Sequence, residues 1–125
     1  MTEAQRATTR RLLEELAVTS LTHGDCVGAD AEVHAMALEL GVRLRLRPAN
    51  LEQARARCQG GELVAAPEAP LARNRKIVAD GELLLAAPGM MKEQRRSGVW
   101  ATIRHAIRRE RPVYIIWPDG QLERR

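Results

Sequence analysis

The side chains with the clearest chemical potential are those of Arg95-Arg96-Ser97-Gly98, which immediately precede an apolar helical pattern. A hydroxyl N-cap, a glycine, free backbone N–H groups and two guanidinium groups together form an anion site, because the helix macrodipole and the Arg charges act in the same direction. Arg73, Asn74 and Arg75 open another predicted helix and are expected to clamp the same ligand from the side. The alternative, which the residues support equally well, is a solvated arginine pair.

A second candidate loop, residues 23–30, joins a predicted strand to a helix. Its ligand-binding candidates are Gly24, Asp25, Gly28 and Asp30. Glycine lets the backbone approach a ligand or adopt positive φ, but an isolated G-x-x-x-G is weak evidence. Since carboxylates at a helix N-terminus repel phosphate, we predict the phosphate of a nucleotide near Gly98 and its sugar or base at this loop. We interpret Asp30 as a helix cap, either alone or also accepting a ribose hydroxyl.

Several side chains of zinc-binding type occur in the chain. They are His23, Asp25, Cys26, His34, Cys58 and His105. Neither C-x-x-C nor H-x-x-x-H spacing is present, so we predict no metal site, and nothing calls for a cofactor. Cys26 as a nucleophile would need His23 as its base, and a small buried cysteine in a tight turn is the favoured interpretation.

Helical and strand patterns alternate along the chain. Helices are predicted at about 3–16, where Thr2 and Gln5 fit a capping box, at 31–40, at 71–79 and up to about 109, with a short one at 51–57. Strands are predicted at about 19–23, 42–47, 82–87 and 113–117. The alternating arginines of 42–47 indicate a strand near an edge, and the Leu-rich 82–87 indicates a central strand.

This alternation predicts an α/β fold, a Rossmann-like three-layer sandwich with a mainly parallel sheet of about four strands. Residues 1–125 have the length of a single domain. In such sheets ligands bind beyond the carboxyl ends of the strands, so the loops after 19–23, 42–47 and 82–87 should meet at one edge.

Composition limits the classes of function. The chain has 125 residues, 45% of them hydrophobic, with no apolar run that could span a membrane and no secretory signal. Two cysteines fit a reduced cytoplasmic protein. The net charge is +4, and 18 of the 20 basic residues are Arg, but only three aromatic residues occur. A solvated basic surface is favoured over a nucleic-acid patch, because single-strand binding usually needs several stacking platforms.

The ordered motifs resemble the SLOG superfamily, named after the DNA-processing protein A and lonely-guy families, and in particular its small YspA-like branch of bacterial and phage proteins. The resemblance covers residues 2–120. It rests on Gly24-Asp25-Cys26-Val27-Gly28-Ala29-Asp30, Leu71-Ala72-Arg73-Asn74-Arg75, Ala87-Pro88, Arg96-Ser97-Gly98-Val99-Trp100-Ala101-Thr102 and the run 112–120. It implies a Rossmann-like fold that binds nucleotides or nucleotide-derived ligands.

The chain departs from that family in two places. Family members usually begin with a strand and a Gly-Thr-Arg type loop, whereas this sequence starts directly at the first helix. We therefore expect the neighbours of that strand to close together or to pair with a second copy of the chain. The lonely-guy enzymes carry a catalytic Glu where Thr102 stands, and a hydroxyl cannot replace a carboxylate in that chemistry.

The leading functional hypothesis is a nucleotide-binding sensor or accessory domain without strong catalysis. A phosphoribohydrolase-like enzyme is the first alternative, with Glu93, Asp25 and Asp119 as its available carboxylates. A single-stranded DNA-binding accessory protein is the second. Trp100 is expected in the core, and Trp117 is the better candidate for stacking on a base.

Overall fold

The computed structural model describes residues 1–125, which form four α-helices, one 3-10 turn and six strands. The helices α1 to α4 are Glu3–Glu15, Ala29–Glu39, Pro70–Asp80 and Gly98–Arg108, and the 3-10 turn is Glu52–Ala54. The strands β1 to β6 are Ser20–His23, Arg43–Leu46, Leu63–Val64, Leu84–Ala86, Val113–Ile116 and Leu122–Arg124. None of the helices combines the length and the apolar character needed to cross a membrane.

The helix starts show how far local sequence decides the structure. The predicted capping box of α1 is confirmed, with reciprocal hydrogen bonds between Thr2 and Gln5. Ser97 caps α4, as expected from its hydroxyl. The interpretation of Asp30 as a helix cap is wrong. The N-cap of α2 is Gly28, and Asp30 lies inside the first turn, where its side chain accepts the Cys26 N–H at 3.1 Å.

The strands form two sheets of three strands each. The first has the order β1-β2-β3 and is parallel throughout; the second has the order β4-β5-β6, with β4 parallel and β6 antiparallel to β5. The mainly parallel α/β class is therefore confirmed. The strands are divided between two small sheets, however, where the sequence predicted one sheet of about four.

Two predicted strand positions are wrong. Strand β2 lies between β1 and β3, not at an edge, and β4 lies at an edge of its sheet, not at its centre. Arg43 and Arg45 are exposed while Leu44 and Leu46 are buried, so the alternation correctly reports one solvated face of the strand. The alternation carries no information about which strands pair with β2. The short strand β3 pairs with the edge of β2 that was expected to be free.

Each sheet packs its own hydrophobic core. The first core contains Ala37, Val42, Leu44 and Leu46. The second contains Val78, Ala86, Trp100, Ile103, Ala106, Val113 and Ile115. The indole of Trp100 is completely buried, which confirms the expected core position, and Trp117 packs against it with ring centroids 5.7 Å apart. Helix α1 contacts α2 and β5, and α3 contacts α4 and β1, so these two helices bridge the sheets.

The N-terminus of α1 fixes the relative direction of the two sheets. The Gln5 side-chain amide donates to the carbonyls of Pro88 at 2.8 Å and Ile116 at 3.0 Å, just beyond β4 and at the last residue of β5. The Met1 amino group pairs with Glu32, in the first turn of α2, which follows β1. The carboxyl ends of β1, β4 and β5 therefore lie on the same side of the molecule, and we call this side the carboxyl edge.

Candidate functional site

A cavity of about 700 Å³ lies between β1 and β4, and we call it the cleft. Residues 19–24 line one wall and 82–87 the other, with side chains of all four helices around them. More than half of the lining residues are hydrophobic, since 18 of the 32 are. At the carboxyl edge the lining becomes polar, and this part, the polar mouth, is formed by Gly24, Cys26, Asp30, Arg73, Asn74, Gly98 and Thr102.

Arg73 is the central side chain of the polar mouth. Only 8% of its surface is exposed, yet none of its hydrogen bonds reaches a carboxylate. Nη1 donates to the carbonyls of Gly24 at 2.7 Å and Arg47 at 3.0 Å, and Nε donates to Asn74 Oδ1 at 2.7 Å. Nη2 contacts only Cys26 Sγ, at 3.8 Å. Arg73 thus makes no salt bridge, although it is buried. The Asp30 carboxylate lies nearby, since Asp30 Oδ2 and Arg73 Nη1 are 3.0 Å and 2.3 Å from the same Cβ position at Gly24. Nη2 has no oxygen partner, which favours an anion beside it.

Gly24 is required by Arg73 and not by a turn. A Cβ atom at Gly24 would lie 2.3 Å from Arg73 Nη1 and 2.7 Å from Cζ, closer than non-bonded atoms approach. The missing side chain therefore makes room for the guanidinium, which then ties the end of β1 to that of β2 through their two carbonyls. The guanidinium therefore occupies the space that was expected to serve ligand approach, and Gly24 does not have the positive φ that was the other expectation.

Asp25 faces away from the cleft. It is completely buried, and its carboxylate accepts the Cys58 N–H at 2.9 Å and the Arg55 guanidinium at 3.3 Å. Burial alone would raise the pKa of Asp25, but these hydrogen bonds and the Arg55 charge hold it below its usual value. Asp25 lines a separate cavity of about 310 Å³ and ties residues 55–58 to the loop after β1.

His23, His34 and Cys58 come together with ligating atoms within 4.8 Å of one another, so the structure assembles a potential metal set that spacing did not reveal. The hydrogen bonds argue against a metal there. Asp25 N–H donates to His23 Nδ1 at 3.0 Å, so His23 Nε2 carries the proton and donates to His34 Nδ1 at 2.9 Å. His34 Nε2 in turn donates to the Gln59 carbonyl at 2.6 Å.

We call the hydrogen-bonded pair His23 and His34 the histidine relay. Each of its four imidazole nitrogens therefore already has a partner. A metal on His23 Nε2 would move the proton to Nδ1, directly opposite the Asp25 N–H. Burial also raises the pKa of the Cys58 thiol to about 11, so the thiolate that a metal needs is disfavoured. The arrangement is suited to holding β1, α2 and the 57–61 segment together.

The structure brings some of the predicted site residues together and separates others. Gly24, Asp30, Arg73, Asn74 and Gly98 all line the cleft. Outside it lie Asp25, Gly28, Arg75, Arg95, Arg96 and Ser97. Arg75 is exposed because residues two apart lie on different sides of a helix, and Arg95 and Arg96 are exposed in the loop before α4.

Three lining groups were missed by sequence reasoning: the Met1 amino group, the Cys26 thiol as a contact of Arg73, and the apolar side chains that α1 and α3 place in the cleft. These three groups depend on long-range packing and carry no local signal. The helical spacing between Arg73 and Arg75 was available in the sequence and shows that the two cannot face the cleft together.

The other polar candidates lie apart from the cleft. Glu93 pairs with Arg104 and Arg125, and Asp119 accepts the Gln121 N–H within its own turn. The Trp117 indole donates to Glu123 and is covered by the core on one side. Comparisons of the chain with protein-family models, curated proteins and solved structures found no match, so the resemblance to the SLOG superfamily stays a prediction.

Proposed function

We propose that the protein binds a nucleotide or a nucleotide-derived ligand in the polar mouth of the cleft, as a sensor or accessory domain. The observation that carries this proposal is Arg73, a buried guanidinium that lines the cleft without a carboxylate partner. Burying an unpaired charge is costly, and a ligand anion beside Nη2 would compensate it.

The phosphate is placed between Arg73 and the start of α4. Gly98 and Val99 both line the cleft, and their N–H groups belong to the first turn, which has no intrahelical acceptors for them. Helix-start N–H donors and a guanidinium are the kinds of group that bind phosphate in proteins. Arg95 and Arg96 lie immediately before this turn, so their charge adds to the local potential without contact.

The nucleoside part is assigned to the side of the polar mouth that Asp30 and Asn74 form next to Arg73. Asp30 Oδ2 is engaged by the Cys26 N–H, and Oδ1 accepts no hydrogen bond from the protein, so Oδ1 is free to accept a sugar hydroxyl. The Asn74 amide nitrogen has no protein acceptor and can serve as a second polar contact. Apolar side chains at Val27 and Val33 complete a surface for the base.

Binding without strong catalysis fits this arrangement better than hydrolysis. Glu93 and Asp119, two of the carboxylates considered for acid–base work, are engaged elsewhere and do not line the cleft. Thr102 lines the cleft, but its hydroxyl donates to the Gly98 carbonyl at 2.8 Å inside α4. No carboxylate pair of the kind that glycosidic cleavage uses stands at the proposed phosphate position.

The test compares nucleoside monophosphates with the corresponding nucleosides by calorimetric titration. We expect the monophosphate to bind at least about tenfold tighter, since one charge-assisted contact is worth roughly 1.5–3 kcal/mol. Arg73→Gln should remove this difference, while Arg75→Gln, an exposed arginine of the same helix, should preserve it. Equal affinity of nucleoside and monophosphate, or normal phosphate preference in a folded Arg73→Gln protein, would overturn the proposal.

A further inference from the structure

The two sheets present unpaired edges to each other across the cleft. Strand β1 pairs only with β2, and β4 pairs only with β5, so each has one edge without a neighbour. These two edges form the facing walls of the cleft, because residues 19–24 and 82–87 both line it. The expectation that these strands close on each other is therefore wrong, and the space between them remains open.

The hydrogen bonds to the paired edges identify the backbone groups that face the cleft. The carbonyls of Thr19 and His23 accept from β2 and its flanking residues, so the N–H and C=O of Ser20 and Thr22 point the other way. The Leu84 N–H donates to the Pro112 carbonyl, so the backbone groups of Leu83 and Leu85 face the cleft. Two rows of strand donors and acceptors thus border a largely apolar space, where unpaired backbone groups are unfavourable.

The lining above and below these edges is apolar. Helix α1 contributes Leu13 and Leu16, and the bridging helix α3 contributes Ile77. Val33 of α2 and Val99 of α4 also line the cleft. A strand that is covered by helices and flanked by parallel neighbours is buried on both faces, which calls for a continuous run of residues such as Val, Ile and Leu.

The direction of such a strand is fixed by its neighbours. The carboxyl ends of β1 and β4 both lie at the carboxyl edge, so one strand can pair in parallel with both. Met1 lines the cleft at this edge, and α1 begins two residues later. A strand running in parallel through the cleft would therefore end next to Met1 and could enter α1 through the short loop of a strand–helix unit.

We propose that the cleft is an acceptor for one additional β-strand, an apolar segment of about five residues joined to the amino side of Met1, which unites the two sheets into one. Main-chain pairing to both edges would give the affinity, as in other cases of strand addition. A second copy of the chain is a poorer donor, because each of its strands already has a neighbour on at least one side and none is free to pair with β1 and β4 at once. The strand would occupy the apolar part of the cleft, so the proposal does not depend on a ligand in the polar mouth.

The test joins the segment Val-Ile-Val-Leu-Val and a three-residue Gly-Asn-Ser loop to Met1. The matched control is Val-Pro-Val-Pro-Val with the same loop, because proline has no N–H to donate and is excluded from central strands. Amide hydrogen exchange is followed at Ser20, Thr22 and Leu85. The internal reference is Arg43 of β2, whose N–H already donates to the Thr19 carbonyl at 3.0 Å. We expect exchange at the three edge amides to slow at least about tenfold in the strand fusion, and to stay unchanged in the proline fusion.

Two results would overturn the proposal. One is unchanged exchange at Ser20, Thr22 and Leu85 in a folded strand fusion; the other is equal slowing in the proline control, which would reveal a nonspecific effect. A third sample contains the unfused protein mixed with the free peptide. If amide exchange slows in this mixture but not in the fusion, the proposed connection of the strand to Met1 is contradicted. Nucleotide is absent from every sample, so the outcome is separate from that of the Arg73 titration.

Discussion

At the scale of single residues, the site depends on a guanidinium that occupies the space of an absent side chain. The carbonyls that Arg73 bridges belong to Gly24 and Arg47, at the ends of two parallel strands. The same group thus stabilises the first sheet and supplies the positive charge of the polar mouth. A change at Gly24 should therefore affect both stability and ligand binding.

Gly24→Ala is predicted to destabilise the protein by about 1–3 kcal/mol, because the new Cβ would overlap the Arg73 guanidinium and force it to move. The measurement is the free energy of unfolding from urea denaturation. Gly89→Ala is the matched control, since a Cβ there would meet no atom within 4 Å. Equal stability of the two variants would show that Arg73 does not occupy the space at Gly24.

The histidine relay makes a second prediction, on pH. Burial is the largest cause that lowers the pKa of His23 below its ordinary value of 6.5, with His34 and Arg73 acting in the same direction and the carboxylates Asp30 and Asp25 opposing them. The unfolded chain therefore binds a proton at His23 more readily than the folded protein. Stability is predicted to fall as the pH drops through about 6.5 toward the lower folded pKa, and to be independent of His23 well above it.

His23→Gln should flatten this pH dependence between about pH 7.5 and 5.5. His105→Gln should flatten it less: burial and the nearby arginines also lower the pKa of His105, but its side chain is only half-buried. Urea denaturation at several pH values measures the effect. The contribution of Asp25 falls in a different window, since a lowered carboxyl pKa supports the fold at neutral pH and is lost only in more acidic solution. A slope that is the same in wild type and His23→Gln would contradict the assignment.

At the scale of elements, a single side chain ties the bridging helix α1 to the second sheet. Gln5 closes the capping box and donates to two carbonyls at the carboxyl ends of β4 and β5, and only 2% of it is exposed. Gln5→Ala is predicted to cost about 2–4 kcal/mol, because two buried carbonyls and the α1 cap lose their partners. Gln53→Ala, at an exposed position, should cost under about 0.5 kcal/mol in the same denaturation experiment. Similar costs for both variants would contradict the bridging role.

Sequence patterns predicted where the helices and strands lie better than they predicted which strands pair with each other. All four α-helices and the strands β1, β2, β4 and β5 appear close to the predicted ranges. Strands β3 and β6 were missed, because Leu63–Val64 is only two residues long and the polar Leu122–Arg124 lacks the pattern of a strand. The order of strands within the sheets depends on pairing between distant segments, and no local pattern encodes it.

The same distinction holds for the candidate site. Gly24, Asp30, Arg73, Asn74 and Gly98 were predicted from turn and helix-start patterns, and they do line one cleft. Arg73 is buried and bonded to carbonyls because β1 and β2 bring the Gly24 and Arg47 carbonyls to it, which sequence alone does not show. The joining of His23, His34 and Cys58 likewise depends on how α2 and the 57–61 segment pack.

At the scale of the whole molecule, the chain consists of two small sheets with separate cores, bridged by α1 and α3 around the cleft. The apolar part of the cleft and its polar mouth have different physical requirements: paired backbone groups in the first, and a compensating anion in the second. The two proposals assign one occupant to each. They can therefore fail independently.

The most direct test of the proposed function is a nuclear magnetic resonance titration of isotope-labelled protein with nucleoside monophosphates. We predict that the largest shifts occur at the Arg73 side chain and at the amides of Gly24, Gly98 and Val99, which surround the proposed phosphate position. The nucleoside without phosphate should leave the Arg73 signals unchanged. No shift with any monophosphate, or shifts confined to exposed residues such as Arg95 and Arg96, would contradict a nucleotide site in the polar mouth.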